Sequence, residues 1–288
     1  MSSNTLGALL MVASMAAFTM NDTFMKLSLA SVPFYQLICI RSFVTCALIV
    51  ALWGRIGTLH FRIAPRDWGL IALRAGSEVV IAYFFLSALF NMPLANLTSI
   101  MQVVPLAVTL ASALFLGEAV GWRRFTAIAI GFFGVLLIVK PGAEGFTIWS
   151  LYALIAVVGV AFRDLVTRRL SPLVPGMTVT LMTALAVMLA FGAASLGDPW
   201  QPVPPLAAGL IAGSAICVLC GYSFSIQVMR VADVSFTAPF RYTGLVWALV
   251  LGWYVFGEWP RPLTLAGAAI VVATGIFSLY RERRVAAD

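Results

Sequence analysis

Seven charged side chains sit inside stretches that are otherwise apolar: Asp22, Arg41, Arg74, Glu78, Arg163, Asp164 and Arg241. Asn96 and Gln102 add uncharged polarity. A charge at membrane depth costs at least about 2.5 kcal/mol on insertion scales, so each such group faces a partner or a cavity. Two kinds of chemistry follow. A carboxylate such as Glu78 can hold a cationic group or a proton. An arginine such as Arg241 can grip a carboxylate through its planar fork or stack on flat rings. Phe240, Arg241 and Tyr242 follow Pro239, which lacks an N–H and frees a carbonyl in the preceding turn. Glu78 falls about twelve residues into its apolar stretch, ~18 Å at helical rise and near a midplane. Arg74 stands four residues earlier on the same helical face and can pair with it. A structural ion pair and a cavity-facing carboxylate are both open there.

Enzyme chemistry is poorly served. The one histidine, His60, lies in a joint between apolar stretches, which removes Ser-His catalysis in a membrane and zinc sites built on paired histidines. No phosphate-cradling glycine loop is present. An aspartyl dyad of Asp22 and Asp164 is conceivable, but the two carboxylates point toward opposite membrane faces in the arrangement derived below. The four cysteines, Cys39, Cys46, Cys217 and Cys220, fall inside apolar stretches and read as packing residues. No catalytic residue, metal ligand or cofactor is expected.

These side chains must be positioned by membrane helices. Hydrophobic residues make up 62% of the 288, and charged residues 10%; the mean hydropathy is +1.01. A bilayer span needs about 20 apolar residues. Ten such segments fit: 5–28, 33–53, 67–90, 93–116, 122–139, 148–169, 174–195, 205–229, 234–256 and 262–281. The net charge of +7 is not a nucleic-acid patch, because the basic residues sit in the joints. One side of the membrane collects Arg55, Arg62, Arg66, Arg123, Arg124, Arg168, Arg169, Arg230, Arg281, Arg283 and Arg284. The other has Lys26, Lys140 and Arg261. Eleven against three predicts both termini in the cytoplasm. The first segment lacks the basic lead-in of a signal peptide.

The chain also repeats itself. Residues 92–106 and 231–245 each run through an apolar helix to a Gly-Glu pair, Gly117-Glu118 and Gly257-Glu258. Asp22 and Asp164 are 142 positions apart, as are Pro33 and Pro175. Tyr83 and Tyr222 lie in matching apolar contexts. Lys26 and Arg168 stand four residues after the two aspartates, so each half offers an Asp/base pair as a gate or a clamp. Glu118 and Glu258 suit the positive end of the following helix. Five helices per half is an odd number, so the second half enters from the opposite face. The expected fold is an all-α integral membrane protein of ten transmembrane helices. These form two inverted five-helix repeats, 1–145 and 146–288, around a central cavity.

Asp22 with Lys26, Arg41, the Tyr83 region, Pro105, the Gly-Glu helix ends and the run Ala238-Pro239-Phe240-Arg241-Tyr242 carry a family likeness. Over its whole length the chain resembles the drug/metabolite transporter superfamily, in its ten-helix EamA-type branch. The resemblance implies a secondary transporter with helices 1, 3, 4, 6, 8 and 9 around the cavity and helices 5 and 10 as outer buttresses. Glycines and alanines in helices 5 and 10 suit close packing within the chain, with a homodimer as the alternative. The implied partners are a small-molecule substrate and the lipid bilayer, not nucleic acid; the implied location is a bacterial-type inner membrane.

The favoured function is alternating-access export of aromatic or neutral amino acids. Uptake of a cofactor-like solute such as riboflavin or S-adenosylmethionine is the alternative, and an intramembrane enzyme is the rival from another class. A receptor or structural role leaves the duplication unexplained. The expected substrate-binding residues are Glu78, Tyr83, Gln102, Tyr222, Phe240, Arg241 and Tyr242. Asp22, Lys26, Arg163 and Asp164 are expected as gating or structural pairs.

Overall fold

The computed structural model describes residues 3–55, 58–117, 121–139, 147–232 and 234–287, and among these there is no strand. The helices are α1 (Ser3–Ser28), α2 (Phe34–Ala51), α3 (Pro65–Asn91), α4 (Leu94–Met101), α5 (Val104–Leu116), α6 (Trp122–Val139), α7 (Ile148–Arg168), α8 (Gly176–Ala194), α9 (Pro205–Val231), α10 (Val234–Thr237), α11 (Thr243–Phe256) and α12 (Pro262–Ala287). Glu118, Lys140 and the expected boundary between the repeats lie outside the described residues.

Proline sets most of the starts. Pro33, Pro93, Pro175 and Pro204 precede α2, α4, α8 and α9, while Pro65, Pro205 and Pro262 occupy first turns. The first turn has no use for the missing N–H, and the fixed φ suits helix entry. Gly117 and Gly257 end α5 and α11 at φ 68° and 65°. That left-handed conformation costs glycine nothing and gives the chain its turn.

Two of the ten expected segments are broken. Segment 93–116 divides into α4 and α5 around Gln102 and Val103, because Pro105 has no N–H to give the carbonyl of Met101. Segment 234–256 holds a 3-10 stretch, Ala238–Tyr242, between α10 and α11, with Pro239 inside it. Among the described residues, seven helical stretches are long and apolar enough to cross a bilayer. Phe125–Val139 and Pro262–Ser278 are apolar but shorter.

The helices pack in related pairs. α1 lies on α9, and α3 on α7; α5 meets α7, and α11 meets α1; α2 pairs with α8, and α6 with α12. Small residues permit the close approaches. Gly213 and Gly221 of α9 receive the rings of Phe24 and Phe18, and Gly159 of α7 receives Ile81. Leu94, Leu97, Ile100, Val103 and Leu106 run along α4 and α5 at the centre of the core and are fully buried. Outward faces carry large apolar side chains such as Leu114, Phe115, Phe133, Val158 and Leu189. Lipid, unlike water, imposes no penalty on such a surface. All four cysteines are free thiols, as the sequence suggested.

Candidate functional site

A cavity opens between α2, α3, α8 and α9. Arg41, Ser42 and Thr45 line it from α2, and Arg74, Glu78 and Ala82 from α3. Thr180, Thr183, Ala184 and Val187 of α8 and Val218 and Tyr222 of α9 complete it. Its empty volume is ≈ 520 Å3, open solvent at the mouth included. The ionic groups come from α2 and α3, and most of the hydroxyls from α8 and α9.

Behind Glu78 stands Arg163 of α7. Arg163 Nη1 donates to Glu78 Oε2 at 3.1 Å. Its Nη2 and Nε donate to Asp164 Oδ1 at 2.8 and 3.0 Å. One guanidinium therefore serves two carboxylates. Arg74 is not the partner of Glu78 that the four-residue spacing suggested. It donates from Nε to Thr167 Oγ1 at 3.0 Å and from Nη1 to Thr183 Oγ1 at 2.5 Å. The close α3–α7 approach explains the exchange. A β-carbon on Gly159 would lie 2.7 Å from Ile81 Cγ1, so α7 comes near enough for Arg163 to reach Glu78. The longer Arg74 arm bridges outward to α7 and α8 instead.

Asp22 sits on α1 with a different partner set. It accepts from Asn21 Nδ2 at 2.9 Å, and Asn21 Oδ1 in turn accepts from Ser214 Oγ at 2.7 Å. Lys26 does not pair with Asp22. Its Nζ lies 2.8 Å from Glu258 Oε1, donates to the Met92 carbonyl at 2.9 Å and stands 4.8 Å above the Phe256 ring. Glu258 Oε2 accepts from the Leu94 amide at 3.1 Å. The expectation of a carboxylate at a helix N-terminus holds in kind, but the helix served is α4 rather than the one that follows. A lysine near a helix end reaches for the free carbonyl at a joint more easily than for a group one turn back. The cluster ties the ends of α1 and α11 to the start of α4. Glu258→Gln is expected to weaken it by about 1–2 kcal/mol, since charge-assisted bonds are lost at a partly exposed site. A Tm in detergent no lower than that of the wild type would show the cluster to be idle.

Of the expected binding residues, Glu78 and Tyr222 line the cavity. Tyr83 lies among rings, with centroids 5.9 Å from Phe34, 5.3 Å from Phe84 and 6.3 Å from Tyr152. Gln102 Nε2 donates to the Tyr242 carbonyl at 3.3 Å, so the two helix breaks face each other. Tyr242 is buried with an unpartnered hydroxyl directed at Gly275 of α12. Phe240 stacks 6.0 Å from Phe236, and Arg241 is exposed. The cavity thus does not gather Gln102, Phe240, Arg241 and Tyr242 around Glu78. Sequence reading missed the lining threonines, although Thr180 and Thr183 share one face of an apolar helix. It counted Arg41 among the intramembrane charges without giving it a role.

Residues 5–140 and 147–280 each match the EamA-like transporter family. The chain belongs to that family. That family lies within the drug/metabolite transporter superfamily, and the relatives carry transporter names. An S-adenosylmethionine uptake transporter of Rickettsia conorii is 26% identical over 67% of this chain and 65% of its own length. The chain thus matches just under two thirds of that relative. A pseudopaline exporter of Pseudomonas aeruginosa is 26% identical over 96% of this chain and 97% of its own. A riboflavin transporter of Vibrio cholerae is 28% identical over 82% and 80%. A solved crystal structure, 20% identical, covers 95% of this chain and 98% of its own with a TM-score of 0.64, which establishes a shared fold.

Proposed function

We propose that the protein is an inner-membrane secondary transporter that moves an amino-acid-type metabolite by alternating access. One observation carries the reading: a cavity holding both guanidinium and carboxylate groups lies between helices of the two sequence halves, α2 and α3 against α8 and α9. A site between halves can be exposed to either side by rocking one against the other. Inverted five-helix repeats, 1–145 and 146–288, are the proposed moving units. The packing supports them, since exchanging the halves maps α1–α9 onto α7–α3 and leaves α2–α8 and α6–α12 paired with themselves. The matching breaks at α4/α5 and α10/α11 and the left-handed ends at Gly117 and Gly257 support them as well.

Export of aromatic or neutral amino acids remains the favoured form, with Tyr83 and Tyr222 as apolar contacts. Uptake of a larger cofactor-like solute is the second reading; the names of the S-adenosylmethionine and riboflavin relatives favour it. Purified protein in liposomes, assayed with labelled phenylalanine, leucine, S-adenosylmethionine and riboflavin, separates these. Saturable flux of the amino acids supports the first reading, and flux of S-adenosylmethionine or riboflavin alone supports the second. Flux of none of the four removes the amino-acid assignment.

Ten spans with both termini cytoplasmic complete the proposal, on the strength of the basic bias in the joints. A reporter that works only in the cytoplasm, fused after Asp288, is expected to be active. Activity of a periplasm-only reporter at that position would reverse the orientation.

A further inference from the structure

The cavity wall carries charged groups of both signs, the guanidiniums of Arg41 and Arg74 and the carboxylate of Glu78, with Arg163 bound to Glu78 and Asp164 behind it. Their satisfaction is uneven. Arg74 holds two threonines, and Arg163 holds two carboxylates. Arg41 makes no side-chain hydrogen bond or ion pair among the described residues, and its Nε is sealed from solvent without a partner. Its electrostatic neighbours are Tyr222, Asp22 and Glu78, none within bonding distance. A guanidinium carries five donors and cannot shed its charge. Half-buried at membrane depth without a partner, such a group gains from an incoming acceptor.

We propose that Arg41 docks the carboxylate of a zwitterionic solute, a role the sequence pattern alone would have given to Arg241. This rests on the reading of the cavity as the transport site. Arg41 lines the cavity, whereas Arg241 is exposed elsewhere. The presence of both signs in one wall points to the class of ligand. A simple anion would leave Glu78 Oε1 without a partner. A zwitterion serves both ends: its carboxylate meets the free donors of Arg41, and its ammonium group lies toward Glu78, whose Oε1 is not engaged by Arg163.

The test uses matched probes on the purified full-length protein: phenylalanine against phenethylamine, and S-adenosylmethionine against its decarboxylated form. In at least one pair, the wild type is expected to bind the carboxylate-bearing member about 10- to 100-fold more tightly, the range of one charge-assisted hydrogen-bonded contact. Arg41→Gln is expected to abolish that preference without weakening the decarboxylated member. Arg41→Lys is expected to restore it in part, since an ammonium lacks the planar fork. Preference retained in Arg41→Gln, or no preference in the wild type for either pair, overturns the assignment. Should Arg41→Gln not fold, phenylglyoxal labelling of the wild type is read by mass spectrometry. Protection of Arg41 by the carboxylate-bearing probe alone supports docking, and equal labelling with and without it refutes docking. Liposome flux run in parallel separates the two ideas. Flux without Arg41-dependent preference sinks the anchor and spares transport; preference without flux does the reverse.

Discussion

Arg163→Ala is expected to remove most of the folded protein. Arg163 links α7 to α3 through Glu78 and also neutralises Asp164, with its own side chain 19% exposed and that of Glu78 20%. Truncation would strand two carboxylates without the guanidinium that both are bonded to. Breaking a buried pair from one side costs about 3–5 kcal/mol, because the remaining charge stays desolvated. For a chain of this size that corresponds to a fall in Tm of about 6–20 °C. Arg163→Gln combined with Glu78→Gln is expected to melt above Arg163→Ala, since the double change removes charge from both sides of the α3–α7 contact. Thermal melting in detergent and the monodisperse fraction on size exclusion read both effects. A Tm for Arg163→Ala within about 2 °C of the wild type would mean that water or lipid headgroups already screen these carboxylates.

The same residues show how far sequence reading reaches. The helical segments, the break at Pro105 and the family were legible, because each depends on local facts: runs of apolar residues, an absent N–H, a glycine that ends a helix. Glu78 and Tyr222 were legible as cavity groups, because a polar atom at membrane depth has few places to go. Partners were not. Arg74 and Glu78 share a helical face, yet each finds its partners on other helices; Lys26 passes over Asp22 for Glu258, 232 positions away. Such choices depend on helix rotation and spacing, which Gly159 and Gly221 set through contacts far away in sequence. The Ala238–Tyr242 stretch misled for the same reason. Pro239 does disturb the helix, but the disturbance turns Tyr242 toward α12 and leaves Arg241 exposed, away from the cavity that Glu78 lines.

The α6–α12 contact gives the second large effect. A β-carbon on Gly267 would stand 2.5 Å from the Gly134 carbonyl oxygen and 2.8 Å from Ile138 Cγ1, and one on Gly134 would stand 2.9 Å from the Gly267 carbonyl oxygen. The two carbonyl oxygens are backbone atoms, so no rotamer change relieves that part of the clash. Gly267→Val is therefore expected to push the helices apart, at or above the top of the about 1–3 kcal/mol range for overpacking, and to lower Tm by at least about 6 °C. Gly275 differs in kind. A β-carbon there collides with the Tyr242 hydroxyl, a side-chain atom that has no hydrogen-bond partner. Gly275→Ala should destabilise, Tyr242→Phe alone should cost little, and the double variant should recover only part of the loss, because the colliding oxygen is gone while the Tyr242 Cζ position still crowds the new β-carbon. At Gly267 no side-chain deletion of that sort can rescue, since the obstacle is the partner helix itself. If Gly267→Val melts with the wild type, α6 and α12 do not touch through Gly134, and the outer buttress is packed differently from this arrangement. If instead the double variant is no better than Gly275→Ala, the strain at Gly275 lies in the ring or the α12 backbone rather than in the hydroxyl.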